Sequence, residues 1–124
     1  MAKTKKDNSL PSQEDVLRFA MLYKLADSIY TEMKEFSKKK PDDLLNTFKV
    51  KNVNRVLEKL KDFLKNEPTI EFLDLLDEET LPSNSDAILI IGQYKAALDN
   101  YRNRNTNKYG RWLTIENPQG KNID

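Results

Sequence analysis

Residues 12–41 read SQEDVLRFAMLYKLADSIYTEMKEFSKKKP, and the spacing within them decides the fold class. Phe19, Leu22, Ala26, Ile29, Tyr30, Met33 and Phe36 recur every three or four residues, which at roughly 100° per residue places them on one stripe of an α-helix. Ser12 supplies a hydroxyl N-cap, and Glu14 and Asp15 put carboxylates in the first turn, where the helix dipole favours them. Pro41, behind Lys38-Lys39-Lys40, stops the pattern. Leu17, Met21 and Leu25 fall well round from the stripe, so the first half of this helix is apolar over much of its circumference. Such a surface asks for a second neighbour, either another helix or another molecule.

Further along, Val53, Val56, Leu57, Leu60, Phe63 and Leu64 form a narrow dry arc opposite Lys51, Arg55, Glu58, Lys59, Asp62 and Lys65, the most regular amphipathic helix of the chain. Asn66-Glu67-Pro68 ends it, because the residue before a proline is pushed out of the α region. Between the two helices, Asp42–Phe48 predicts a short connecting helix with Leu44, Leu45 and Phe48 on its buried side. Thr69 predicts the cap of another short helix that buries Ile70, Phe72, Leu73, Leu75 and Leu76, its acidic end Asp77-Glu78-Glu79 opposing the dipole. Ser83 and Ser85 are candidate caps for a last long helix whose main stripe is Ala87, Ile90, Ile91, Tyr94, Ala97, Leu98 and Tyr101. Taken alone, 87–91 suits a buried strand, but the stripe continues at helical period and decides for a helix.

Past Arg102 the chain turns polar and Asn-rich, except for the β-prone Trp112-Leu113-Thr114-Ile115. So large an aromatic as Trp112 predicts that 109–115 docks on an apolar surface, of its own bundle or of an adjacent subunit, while 117–124 stays loose. There is no internal repeat and no sustained heptad pattern. The expected fold is therefore all-α: a compact helical bundle of two long and about three shorter helices. A disordered basic N-terminus (1–10) precedes the helical bundle domain (11–105), and a partly extended C-terminal tail (106–124) follows it.

With 124 residues the chain has room for one core, and 38% apolar with 33% charged residues suits helices with one dry and one wet face. Cysteine and histidine are both absent, which excludes disulfides, Ser-His or Cys-His nucleophiles, an imidazole proton shuttle and the usual zinc ligands. Gly92, Gly110 and Gly120 lack the spacing of a phosphate-cradling loop. No apolar run approaches the ~20 residues of a membrane span, so a cytoplasmic location without a membrane partner is expected. The excess of Lys over Arg together with many Asn is the usage of an AT-rich coding genome, which suits a bacteriophage, a plasmid or a low-GC bacterium.

Three features bear on function. Ile88, Leu89, Gly92 and Ala96 form a second apolar face on the last helix, opposite its main stripe. Burial inside the monomer is the favoured explanation, since central helices are apolar all round; the functional one makes these four, with Leu17, Met21, Leu25 and Trp112, a protein interface. Second, the net charge of +1 conceals segregation: every charged residue from Glu67 to Asp86 is acidic, while six basic residues face two acidic ones from Lys49 to Lys65 and five face one from Lys95 to Arg111. Most charge runs are solvated faces, but the acidic run also suits a basic surface on another copy or partner. In the basic C-terminal region, Arg102, Arg104, Lys108 and Arg111 with Tyr109 and Trp112 have the chemistry for single-stranded nucleic acid. Third, Glu71, Asp74, Asp77 and Glu78 have the helical spacing to hold a divalent cation, although no second carboxylate pair completes a metal site. No catalytic, cofactor-binding or metal residue is assigned. The expected function is a non-enzymatic protein-protein interaction subunit, an adaptor, inhibitor or assembly component that is oligomeric and binds a protein partner or itself. A nucleic-acid-associated accessory protein is the alternative, and a metal-dependent enzyme using the acidic helix 69–79 comes third.

Overall fold

The computed structural model describes residues 10–122, and the basic segment before Leu10 lies outside them. Its helices are α1 (Gln13–Lys39), α2 (Thr47–Phe63) and α3 (Asn84–Arg104), with one 3-10 turn at Pro68–Phe72. Among the described residues there is no strand, only isolated bridges between Leu44 and Ser83 and between Thr106 and Trp112.

Each helix starts where a side chain can satisfy its orphan N–H groups. Ser12 Oγ accepts from Asp15 N–H and Asp15 Oδ2 accepts from Ser12 N–H, each at 3.0 Å, a reciprocal capping box. Asn46 Oδ1 accepts from Lys49 N–H at 2.8 Å to open α2, and Ser83 Oγ accepts from Asp86 N–H at 3.1 Å to open α3. Residues 87–91 are helical, as the continued stripe requires.

Side-chain pairs fix the topology. Along α1 and α3, Phe19 stacks on Tyr101 at 5.7 Å, Asp27 meets Lys95 at 2.7 Å, and Tyr30 lies beside Gly92. Along α1 and α2, Arg18 faces Asp62 and Lys49 sits over the Phe36 ring. In both pairs one number falls as the other rises, so α2 and α3 each run antiparallel to α1 and parallel to one another. The link 64–83 must therefore travel back along the bundle, and α2 and α3 meet each other less than either meets α1. That link is held from both sides. The Asn54 amide of α2 donates to Leu76 O (2.9 Å) and accepts from Leu76 N–H (2.8 Å), while Tyr94 OH of α3 donates to Asp74 O at 2.9 Å. Losing the Asn54 amide would strand two buried backbone groups, at about 1–3 kcal/mol each. Leu73 and Leu76 of the link enter the core beside Leu22, Leu57, Leu60, Ile91 and Leu98.

Two expected short helices are not formed. At 42–48, Leu45 N–H donates to Pro82 O and Asp43 O accepts from Asn84 N–H, so these backbone groups are spent on the link rather than on a helical turn. Asn46 then caps α2 directly, which leaves Leu45 buried but Leu44 66% and Phe48 72% exposed, where burial of all three was expected. At 69–77 only the 3-10 turn forms. Leu76 gives its N–H and C=O to Asn54, so the chain runs on extended, with Leu73 and Leu76 inward and Phe72 and Leu75 outward. Of the two long and about three shorter helices expected, the long pair forms as α1 and α3 and one shorter helix as α2, and a stapled link joins α2 to α3.

The chain beyond α3 folds back. Leu113 N–H donates to Asn105 O, Asn107 N–H to Arg111 O, and Ile115 N–H to Pro11 O, which ties the segment to the start of α1. Trp112 packs edge-on against Phe19 at 5.1 Å and near Tyr101 at 6.2 Å, while Tyr109 and Ile115 stay exposed. The expectation of a loose 117–124 reaches past the described residues at 123–124; within them, Asn117 exchanges hydrogen bonds with Lys121 and Gly120 is buried. Gly120 has φ +63°, and a Cβ there would stand 2.8 Å from Asn107 Nδ2, so both conformation and space call for glycine.

Candidate protein-binding faces

The outward side of α1 carries Leu17, Met21 and Leu25, all exposed, with Leu17 at 65%. Four-residue spacing aligns them into a ridge. The ridge runs on through Ile29 into a groove of ≈ 400 Å³ between α1 and α2, where Met33, Phe36, Phe48 and Val56 form the walls and Glu32 and Lys49 stand at the rim.

On α3 the second apolar face is divided. Ile88 is half-buried against the core, and the Cα of Gly92 points at Tyr30, where a Cβ would make ordinary contact with the ring at 3.6 Å. Leu89, 64% exposed, and Ala96 face outward. The antiparallel register, with Phe19 at Tyr101 and Tyr30 at Gly92, sets Leu17 and Met21 at the opposite end of the bundle from Leu89. The structure thus does not gather the α1 and α3 residues into one seam. Trp112 lies in the monomer's own aromatic cluster.

The four basic candidates separate in the same way. Arg102 donates to Asp99 at 3.0 Å and lies over the Tyr23 ring. Arg104 makes a bidentate pair with Glu67 at 2.8 and 2.6 Å, which raises the guanidinium pKa, and Glu67 is only 6% exposed. Lys108 and Arg111 are exposed on either side of the exposed Tyr109 and make no ion pair among the described residues. A strand-binding surface would therefore have two free cations and one aromatic ring.

The acidic run is likewise committed in part. Lys51, bonding at 3.1 Å, and the Asn54 amide lower the Glu78 pKa; the N–H groups of Thr80 and Glu79 lower that of Asp77. Among the described residues no three acidic side chains converge where a metal ion could be held. The candidate cluster Glu71, Asp74, Asp77 and Glu78 depended on a helix that does not form: Glu71 lies in the 3-10 turn, Asp74 on the non-helical stretch after it, and Asp77 and Glu78 are bonded to backbone N–H groups and to Lys51.

Two surfaces escaped the sequence reading. One is the tip at the α1–α2 turn, where the exposed Leu44 stands among Lys39, Lys40 and Lys49, with the exposed Phe48 on the adjoining α1–α2 groove. The other is a groove of ≈ 630 Å³ between the link and α3, floored by Leu75, Leu81, Leu89 and Ile90 and edged by Asp74, Asp77 and Asp86. Asn46 was the available signal for the first, because a good N-cap there begins a helix too late to bury Phe48. Among the described residues no helix is long and apolar enough to cross a membrane. Nothing matches the chain in comparisons with protein-family models, with curated proteins or with solved structures.

Proposed function

We propose that the protein is a non-enzymatic protein-binding subunit of the cytoplasm, an adaptor, inhibitor or assembly component that presents ordered apolar side chains to a protein partner or to another copy. The observation that carries this reading is the α1 ridge: Leu17, Met21 and Leu25 are exposed on a helix whose other side buries Phe19, Leu22, Ala26 and Met33 in the core. Fully burying a side chain of this size is worth about 1.5–3 kcal/mol, so a partner covering the ridge gains several kcal/mol. Contiguous apolar surface of this kind marks interaction sites. The nucleic-acid reading retains support from Tyr109 between Lys108 and Arg111, two charges that would give only a shallow salt dependence.

The test compares wild type with Leu17→Ser/Met21→Ser/Leu25→Ser, measuring mass over a range of concentrations and recovery of partners from host extract. Wild type should associate or capture a protein, and the variant should do neither while keeping its helical circular dichroism. A wild type that stays monomeric and captures nothing, or a variant that behaves like it, overturns the reading. Tight binding of a labelled single strand, lost in Lys108→Ala/Arg111→Ala, would install the alternative.

A further inference from the structure

We infer that two copies of the chain pair through a second surface, the tip of one docking into the link–α3 groove of the other. This rests on the reading of the protein as a binding subunit, but it does not use Leu17, Met21 or Leu25.

The tip is apolar at its centre and basic around it. Leu44 is its exposed side chain, and Phe48, also exposed, lines the adjoining α1–α2 groove next to Lys49. Lys39, Lys40 and Lys49 share the lining with Leu44, with Asp43 the one acid in it, and these lysines make no ion pair among the described residues. Their neighbours Lys38 and Lys51 are taken by Glu35 and Glu78. The groove has the opposite character: Leu75 and Leu89 are exposed on its floor, Asp74, Asp77 and Asp86 stand on its edge, and no basic residue lines it. By contrast, the α1–α2 groove has one acid and one base in its lining, so charge does not select an occupant there.

The two surfaces cannot satisfy each other within one molecule. Leu45 N–H bonds to Pro82 O and Asn84 N–H to Asp43 O, which fastens the tip to the end of the link and holds it out of the groove beside it. Those bonds also place both surfaces at the same end of the bundle. A two-fold axis at that end sets each tip into the other copy's groove, so every contact occurs twice, as an isologous dimer requires. Tip against tip and groove against groove are both disfavoured by like charge, which leaves tip against groove as the pairing that charge permits.

The experiment uses the full chain and three kinds of variant. Lys39→Glu/Lys40→Glu/Lys49→Glu reverses the tip, Asp74→Lys/Asp86→Lys reverses the groove, and Leu44→Ser and Leu89→Ser each remove an apolar anchor without changing charge. Sedimentation equilibrium of wild type at low salt should show a dimer that weakens as salt is added. Each charge variant alone should be monomeric with wild-type circular dichroism, and their equimolar mixture should dimerise again, because the reversed tip then meets the reversed groove. Each anchor variant should weaken the dimer by at least about tenfold, about 1.4 kcal/mol. A wild type that stays monomeric, charge variants that still dimerise, or a mixture that stays monomeric overturns the inference. If Leu17→Ser/Met21→Ser/Leu25→Ser abolishes association and the charge variants do not, the ridge is the self-contact. In that case the proposed function stands and this pairing falls.

Discussion

The two ends of the bundle use similar side chains to opposite effect. At the end where α1 begins, Phe19, Tyr23, Phe63, Tyr101 and Trp112 pack ring against ring at 5.0 to 6.2 Å. At the end where α1 finishes, Leu44 is exposed among lysines and Phe48 is exposed on the α1–α2 groove. Hydrophobicity alone does not distinguish the ends; the path of the chain does. Residues 105–121 return across the first end and tie down at Pro11, bringing Trp112 as a lid. At the second end the returning segment, 82–84, pairs its backbone with the turn and leaves Leu44 and Phe48 exposed. A closed end contributes stability, whereas an open one keeps its apolar surface for another molecule.

The largest expected effect is loss of the fold in alkali. Burial pushes the Tyr101 hydroxyl, within the closed end, up to about 12, helped by the negative charges of Asp15 and Glu67 and opposed by Arg104. Burial likewise pushes Tyr94 up to about 12, with Asp74 adding to it. A raised folded-state pKa means the native protein holds the proton more tightly than the unfolded chain, so this stability is complete below the unfolded value near 10. It declines as pH rises from there through about 12. Tyrosinate absorbance and helical circular dichroism followed together should show the last tyrosines ionising as the helix signal collapses. Ionisation of all five tyrosines with the helices intact would show the closed end to be open to water.

Next in size is Trp112→Ala, which removes the lid. A fully buried tryptophan costs about 3–5 kcal/mol to truncate, and Trp112 is half-buried, so about 2–3 kcal/mol is expected from urea midpoints. Its emission in wild type should be blue-shifted and unchanged on dilution, because its ring partners belong to the same chain. A loss below about 0.5 kcal/mol, within the range of ordinary surface substitutions, would erase the contrast between the ends.

How much of this was legible depended on whether local or distant groups decide the outcome. The helices α1 and α3 follow from periodicity and from caps at Ser12 and Ser83, and the body of α2 from periodicity, all signals carried within a few residues, whereas the start of α2 at Thr47 falls where a separate short helix was expected. The link was misread because its conformation is set by Asn54 and Tyr94, far away in sequence, whose polar groups compete with helical hydrogen bonds for the backbone at 74–76. Nor could composition show that Arg104 would be engaged by Glu67 and Arg102 by Asp99 while Lys108 and Arg111 stay free, since the first pair joins residues 37 positions apart. Gly92 was equally opaque: a small residue on an apolar face reads alike whether the approaching surface is another copy or, as found, Tyr30 of α1.

The smallest effect belongs to Phe48→Ser, and it sharpens the comparison because a large loss would count against the open end. Phe48 is the second residue of α2, after the Asn46 cap and Thr47, so the change leaves the capping bond from Lys49 N–H intact. Serine and phenylalanine have similar helix propensities, which removes a backbone cost. What remains is the ring itself, 72% exposed as one wall of the open α1–α2 groove. Urea unfolding of dilute protein, below any self-association, should therefore shift by less than about 0.5 kcal/mol. Removing a similar area at Phe19, which is 4% exposed and touches four other rings, should cost about 3–5 kcal/mol. If Phe48→Ser instead costs more than about 1 kcal/mol in dilute solution, another part of the same chain covers that ring. The tip would then be a second closed end, unavailable to the groove of another copy.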